Sequence, residues 1–335
     1  MTTIKDVARL AGVGVGTVSR VISGHGSVSP QAAHRVHAAI EALNFRPSSI
    51  ARALSSRSLG AIGVFVEVLR GELYRSVVEA ADSEIRAVGR HMILVGGHDA
   101  PDRGNASRDI VDSLIETTCD GMLVVSHTLS DDDVLGIHDH FAHIAVLHRR
   151  IPGLEHACFS IDHYAAGQTA ARTLIGHGHR RIGAIAGPSS APDNNERMRG
   201  FVDELNASGM TDSQVHVVQS DFSPPGGFEA TRALLEKAPQ LSAIFCANDP
   251  MAMGALSYLR ERAIRVPDQV SVLGYDDIGS SAFTTPALSS IHVPTESIAA
   301  NAARWLIGQC YGIEQSVQRE FSVAVAMRES VASVI

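Results

Sequence analysis

Ile182-Gly183-Ala184-Ile185-Ala186 is a short apolar run, and the stretch that follows keeps changing character. Arg197 to Ser208 has helical spacing, Val215 to Val218 is β-branched, Gly226 to Glu236 is helical again, and Ala243-Ile244-Phe245-Cys246 is another apolar run. Strand, helix and strand repeated in this way describe a parallel sheet with right-handed crossovers. The rhythm continues in both directions. Ala61 to Val66, Met92 to Val95, Met122 to Val125, Ile144 to Leu147 and Cys158 to Ile161 read as strands before it, and Val270 to Leu273 as one after it. Tyr74 to Val88, Ala165 to Gly176, Pro250 to Arg262 and Thr295 to Ile307 read as helices. About ten such strands are too many for one compact sheet domain, so the spacing predicts two α/β lobes, with parallel sheets flanked by helices.

The first sixty residues break this rhythm and read as short helices. Thr3 and Asp6, three apart, form a capping-box-like start for a helix through Leu10. Gly12-Val13-Gly14 turns the chain, and Val15 to Ile22 makes a second short helix. Ser29-Pro30 opens a third through Ala33, Val36, Ile40 and Leu43. Pro47 ends the unit, and Ser48 to Ser58 is a linker with helical potential but little to bury.

Composition separates the two parts. The chain has 335 residues, enough for two or three domains, and its 45% hydrophobic content is that of a globular protein. A peptide hormone, a fibrous protein and a disulfide-stapled miniprotein are excluded. Residues 1–60 carry seven Lys and Arg against Asp6 and Glu41, a net of +5, so the rest must carry −13 of the formal −8. A small basic head on an acidic body suits a polyanion partner for the head alone. The four cysteines, Cys119, Cys158, Cys246 and Cys310, are scattered singly and read as reduced core residues. The opening MTTIKDVARL has no apolar leader and no stretch approaches membrane-spanning length, so a cytoplasmic protein with no membrane partner is expected.

Two short helices joined by a glycine turn form a helix-turn-helix, whose second helix fits the major groove of B-DNA. Thr17, Ser19 and the helix N-terminus can donate to phosphates, Arg20 can reach a phosphate or a guanine edge, and Val15 can touch a thymine methyl. A small three-helix unit can equally be a cap or an interaction module. Ile4-Lys5-Asp6-Val7-Ala8-Arg9-Leu10-Ala11-Gly12-Val13, Thr17-Val18-Ser19-Arg20-Val21 and Val28-Ser29-Pro30 resemble the DNA-binding head of the LacI/GalR family of bacterial repressors. Arg46-Pro47 and Ala51-Arg52-Ala53-Leu54 resemble the family's hinge helix. Gly178-His179-Arg180-Arg181-Ile182, Ala186-Gly187-Pro188, Arg197-x-x-Gly200-Phe201, Asn248-Asp249-x-Met251-Ala252-x-Gly254, Val266-Pro267-x-x-Val270-Ser271-Val272-x-Gly274-Tyr275-Asp276-Asp277 and Pro286-x-Leu288 resemble its effector domain.

That resemblance implies a sequence-specific regulator that binds double-stranded operator DNA as a homodimer, under control of a small-molecule effector, with no cofactor. It places Thr3, Val15, Gly16, Thr17, Ser19, Arg20, Ala51 and Leu54 at the DNA. Leu54 has almost no apolar company nearby; it is either a core residue at a domain boundary or, by resemblance, the wedge that enters the minor groove. Gly14 and Gly16 depart from the family's Ser and Ala, which weakens the helix start and leaves Val15 and Arg20 as the main readers. Phe45 stands where a Tyr is common and lacks its hydroxyl.

The family's effectors bind in the cleft between the lobes, and ligands of such sheets sit outside the carboxyl ends of strands. Asn248 and Asp276 follow strands, and Arg197 follows the loop after Gly187-Pro188. By motif, Phe222 takes the stacking position and Leu73-Tyr74 the first lobe's aromatic one. Planar hydrogen-bonding side chains around an aromatic face suit a sugar, though Arg197 as a surface charge, Phe222 as core and Asp276 as a turn residue are the ordinary alternatives. Arg150-Ile151-Pro152-Gly153-Leu154-Glu155 looks most like the galactose-repressor branch. The histidines His138, His140, His143 and His148 lie on different elements and do not suggest a converging metal site. No G-x-S-x-G elbow, P-loop or G-x-G-x-x-G appears, so no enzyme is expected. A periplasmic sugar-binding protein has a similar body but no basic head. The expected boundaries are 1–45 for the helix-turn-helix, 46–60 for the hinge and 61–335 for the effector domain, with crossovers near 161, 291 and 320 and no tetramerisation helix beyond.

Overall fold

A computed structural model describes residues 2–23, 27–45, 58–69, 71–97, 103–117, 119–211 and 214–334. The head is three helices: α1 (Ile4–Ala11), α2 (Val15–Ser23) and α3 (Pro30–Ala42). Asp6 Oδ2 accepts from the Thr3 amide at 2.9 Å and from Thr3 Oγ1 at 2.7 Å, which gives α1 the acidic first turn that a helix dipole favours. Gly12 ends α1 at φ 63°, a left-handed cap that L side chains adopt only at a cost. Ser29 Oγ caps α3 at the Ala32 amide. Val7, Ala8, Ala11, Val18, Val36 and Ala39 are buried between the helices, and Phe45 packs against them. The residue lacking a phosphate-binding hydroxyl thus contributes to the core instead.

The first lobe carries β1 (Ala61–Val66), α4 (Glu72–Ala87), β2 (His91–Gly96), α5 (Arg103–Thr117), β3 (Gly121–Val125), α6 (Asp131–His140), β4 (Ile144–Leu147) and β5 (Cys158–Phe159). Its sheet is parallel in the order β2-β1-β3-β4-β5. The second lobe follows with α7 (His163–Gly176), β6 (Ile182–Ala186), α8 (Pro192–Ala207), β7 (Val215–Gln219), α9 (Pro224–Lys237), β8 (Ala243–Cys246), α10 (Asp249–Glu261), β9 (Ser271–Asp276) and β10 (Ser289–His292). The chain then returns to the first lobe as α11 (Thr295–Tyr311), which packs on α4, β3, β4 and β5. It ends back in the second sheet as β11 (Ala324–Ala326), antiparallel to β10. That sheet runs β11-β10-β9-β8-β6-β7. β1 and β6 are buried along their whole length, as expected of strands covered on both faces, and this is why they read as continuous apolar runs.

Several elements differ from the sequence expectation. Helix α8 starts at Pro192, not Arg197, so Arg197 lies inside the helix. α5 and α6 were not expected, being polar helices; α6 buries Val134 and Ile137 alone among its residues. β10 and β11 were not expected either. β10 opens on Ser289 and Ser290, fully buried polar residues whose hydroxyls bond the Arg328 amide at 2.8 Å and Asp249 Oδ1 at 2.6 Å. Their suitability for a buried strand comes from partners distant in sequence.

α7 and α8 cross with their backbones in near contact. A Cβ on Gly167 would fall 1.9 Å from the Arg197 carbonyl oxygen, and one on Gly200 2.0 Å from that of Tyr164. Gly200→Ala is expected to destabilise the body by about 2 kcal/mol or more, the upper range of an overpacked contact. Urea unfolding checks this; a midpoint equal to the parent's means the helices can part without cost.

Candidate functional site

The cleft floor is built around Arg197, which is 3% exposed. Its guanidinium carbon lies 3.6 Å from the centroid of the Tyr275 ring, Nη2 donates to Asp193 Oδ2 at 3.1 Å, and Nη1 donates to the Ala247 carbonyl. Nε is buried with no partner among the described residues. Asp193 and Arg197 are one turn apart on α8, so the helix itself fixes the pair. Burial opposes the charged forms of both. The Arg197 charge, helped by His163 and His148, nevertheless holds the Asp193 carboxyl below its ordinary value, and Tyr275, Asp193 and Asp276 hold Arg197 above its own.

Asp276 ends β9 at φ 100°. Burial raises its carboxyl well above the usual carboxylate range, with Arg197 opposing and Asp249 and Asp193 adding to the rise. Asn248 is the cap of α10, its Oδ1 accepting from the Met251 amide at 2.9 Å. Its Nδ2 donates to the Phe222 carbonyl at 3.0 Å. Phe222 is thereby held at φ 65° with its ring against Gly187, where a Cβ would sit 2.1 Å from the ring. The same ring meets His127 of the first lobe edge-on, at 6.0 Å between centroids. Tyr74, in the first turn of α4, has its phenol raised by burial and by the carboxyls of Glu67, Asp193 and Asp276, which belong to both lobes. The structure therefore gathers Tyr74, Arg197, Phe222, Asn248 and Asp276. Leu73 is half-buried beside Tyr74, and no described contact ties it to this group.

The cleft also holds residues that sequence reasoning missed. His148 follows β4 at φ 64°, and its Nε2 is buried with no partner among the described residues. His163, the first residue of α7, donates from Nε2 to the His148 carbonyl at 2.7 Å, which leaves Nδ1 of the neutral ring to accept from the Tyr275 hydroxyl at 3.0 Å, joining the lobes. Glu67 follows β1, 4% exposed, and takes hydrogen bonds from Thr128 Oγ1 at 2.7 and 2.8 Å and from Ser126 Oγ. All three sit at or beyond strand ends; the rule that singled out Asn248 and Asp276 applies equally to Glu67 and His148. Of the other histidines, His143 bonds the Asp120 carbonyl and His138 meets His156 edge-on, away from the cleft residues.

On the head, Val18 is turned into the core and Val15, Gly16 and Arg20 are exposed, with Val15 at 42%. Thr17 and Ser19 are half-buried on the same short helix, and Thr3 is exposed at the start of α1. A Cβ on Gly16 would lie 3.8 Å from Arg20 Nη2, so residues 16 and 20 share one face. Ala51 and Leu54 lie outside the described residues.

A compact helix-turn-helix unit joined to a two-lobed body of parallel sheets, with polar side chains converging between the lobes, defines a ligand-responsive DNA-binding regulator. Residues 3–48 match the lacI family of bacterial regulatory proteins, and 171–331 match the periplasmic binding protein-like domain. The HTH-type transcriptional regulator AscG of Escherichia coli K12 is 34% identical over 334 residues, 98% of each chain. A solved LacI-family transcriptional regulator from Burkhoderia phymatum is 44% identical, with a TM-score of 0.79, over 82% of this chain and 99% of that one. The transcriptional regulator CelR, solved in complex with cellobiose, is 31% identical, with a TM-score of 0.72, over 98% of this chain and all of that one (100%). The chain belongs to the lacI family of bacterial transcriptional regulators; it is a DNA-binding protein and not an enzyme.

Burial lowers the His148 imidazole to about 4 and His163 to about 3, with Asp193 opposing and Arg197 adding in both. Both are neutral when folded at pH 7, whereas an unfolded histidine takes a proton near pH 6.5. The stability they support is therefore complete above about pH 6.5 and is lost as pH falls towards 4. His148→Gln is expected to remove up to one proton's share of that loss, about 1.4 kcal/mol per pH unit. Urea titrations of parent and variant from pH 7 to 4 check this; parallel curves mean that His148 is charged in the folded protein.

Proposed function

We propose that the protein is a cytoplasmic repressor that binds a pseudo-palindromic operator as a homodimer and is controlled by a neutral sugar. The observation that carries the ligand class is the state of Arg197. Its guanidinium is already neutralised by Asp193 and engaged by the Ala247 carbonyl, and the Asp276 carboxyl beside it adds no positive charge. Such a floor has no surplus positive charge for a phosphate or carboxylate ligand. It does offer donors and acceptors in fixed directions beside the Phe222 ring and the Tyr74 phenol, which suits hydroxyls on a sugar with one apolar face. The cellobiose complex of CelR supports this reading. Galactose or a galactoside is the leaning within that class, and it rests on the resemblance of residues 150–155. In that segment Ile151 and Leu154 are buried in the first lobe's core, so it acts through the fold and not by lining the cleft.

In this reading Arg197 and Asp276 bond sugar hydroxyls, Phe222 covers the apolar face, Tyr74 closes from the first lobe, and Asn248 holds Phe222 while keeping one N–H for the ligand. Leu73 completes the first lobe's wall. At the DNA, Val15, Gly16 and Arg20 face the major groove, Thr3, Thr17 and Ser19 take phosphates, and Ala51 and Leu54 serve the hinge, with Leu54 entering the minor groove. One head reads one half-site, so a symmetric operator requires two copies.

Selection of bound duplexes from a random library by the intact protein is expected to enrich a pseudo-palindrome. Arg20→Ala should weaken that duplex about tenfold or more, and affinity should fall steeply with salt as phosphate contacts release counterions. Enrichment of no sequence would end the operator reading.

Calorimetry against galactose, cellobiose, other hexoses, pentoses, sugar phosphates and purines is expected to give heat with neutral sugars. Asp276→Ala should lose about tenfold or more in sugar affinity, because the hydroxyls it served are left unpaired, while retaining DNA binding. Heat from purines or sugar phosphates alone overturns the ligand class, and an unchanged Asp276→Ala affinity overturns the site.

A further inference from the structure

The end of the first lobe opposite the cleft carries a second polar cluster, centred on Asp120, the residue before β3. Its carboxylate gathers the chain where it leaves residues 46–57. Oδ1 accepts from the Leu59 amide at 2.6 Å, and Oδ2 accepts from Ser58 Oγ at 2.8 Å, the Gly60 amide at 2.7 Å and the Ala61 amide at 3.3 Å. A carboxylate with so many donors is a strong anchor, and the charge makes each bond stronger than a neutral one. Burial opposes the charge, but the Leu59, Ser58, Tyr311 and Gly60 donors hold the carboxyl below its ordinary value.

A fifth donor comes from elsewhere. The Tyr311 hydroxyl, in the last turn of α11, reaches Asp120 Oδ2 at 2.9 Å, and Cys310 Sγ donates to the Asp120 backbone carbonyl at 3.3 Å. The Tyr311 ring is held in turn by the Arg90 guanidinium, 4.3 Å from its centroid. α11 has 17 residues and so spans about 25 Å at 1.5 Å per residue. Its other end, Thr295, follows Val293-Pro294, where the chain leaves the second sheet after β10. One continuous helix thus runs from the connection between the lobes to the carboxylate that holds residues 58–61. Arg304 binds Glu84 of α4 at 2.6 Å and keeps that helix seated on the first lobe.

We propose that Asp120 is a positioning residue for operator binding: it clamps residues 58–61 to the first lobe, and Tyr311 makes that clamp sensitive to the position of α11, and so to the arrangement of the lobes. The proposal rests on the reading of residues 46–60 as the hinge that meets DNA. Opening or closing of the lobes pulls on the Thr295 end of α11, and a small slide of the helix along α4 carries that displacement to its Tyr311 end. There it changes a hydrogen bond that the linker shares. Coupling between distant sites needs such an element biased by both.

The test uses the full-length protein and two mild variants, Asp120→Asn and Tyr311→Phe, the latter keeping the ring under Arg90. Hydrogen exchange at amides 59–61 is read without any ligand. Asp120→Asn is expected to speed exchange about tenfold, as loss of a charged acceptor should, and Tyr311→Phe about threefold, as loss of one neutral donor to it should. Operator affinity, measured on the duplex that the wild-type protein enriches from a random library, should fall by similar factors. Tyr311→Phe should add little to Asp120→Asn in the double variant, since both act through one contact. The melting temperature and galactose or cellobiose heats should stay at parent values in Tyr311→Phe, which a merely structural role would not predict alongside weaker DNA binding. Wild-type exchange at 59–61 in Tyr311→Phe overturns the clamp, as does wild-type operator affinity in that variant. If the wild type enriches no duplex, the operator reading itself fails, and the exchange arm still decides whether Tyr311 holds the linker.

Discussion

A guanidinium buried at the floor of a cleft must be neutralised and hydrogen-bonded, and the arrangement of this molecule's body follows from how that is done for Arg197. Leaving such a charge without its partner costs about 3–5 kcal/mol. Asp193 supplies the counter-charge from the same helix, Tyr275 the aromatic face and Ala247 the carbonyl, so α8, β8 and β9 are fixed relative to one another around a single side chain. The close crossing of α7 and α8 through Gly167 and Gly200 seats α8 at the required depth. Any residue larger than glycine there would push the helix, and the guanidinium with it, out of the floor.

The same constraint sets what the cleft can recognise. Because the strong charge is satisfied internally, discrimination in the proposed reading falls to donors and acceptors whose directions are fixed: the Asp276 carboxyl, the His148 imidazole and the Tyr74 phenol. Neutral hydrogen bonds are worth little each, yet an unmade one in a dry site is costly, and that asymmetry is how such a site selects one pattern of hydroxyls over another. Tyr74 stands in the first lobe and Asp276 in the second, so a ligand bonded to both favours one lobe arrangement over others. Its differential affinity for those arrangements is the whole of its regulatory leverage.

Three strands of chain join the lobes, and their ends differ in chemistry. At the first, His163 bridges Tyr275 and the His148 carbonyl, close to the floor. The second enters α11, whose far end shares Asp120 with residues 58–61. The third returns through residues 312–323 to β11 at the edge of the second sheet. The cleft and the linker therefore lie at opposite ends of one lobe with a continuous helix beside them.

Much of this is legible in the sequence. Apolar runs such as Ala61 to Val66 and Ile182 to Ala186 are strands to the residue because both faces are buried, and periodicity has no competing signal there. The caps at Thr3 and Ser29 and the turn at Gly12 are local chemistry, so the head could be read from neighbours alone. Tertiary structure alone decided which polar residues are buried. Ser289 and Ser290 form a strand because Asp249 and Arg328 reach them from elsewhere, and α5 and α6 are helices with few apolar residues to declare them. Asp193, His148 and Glu67 carry no local mark of their surroundings; they face the cleft because α8 and strand ends far apart in the chain converge between the lobes. Local periodicity reports what a residue does to its own element, whereas a buried charge or an unpaired donor is defined by partners that only the folded chain brings within hydrogen-bonding distance.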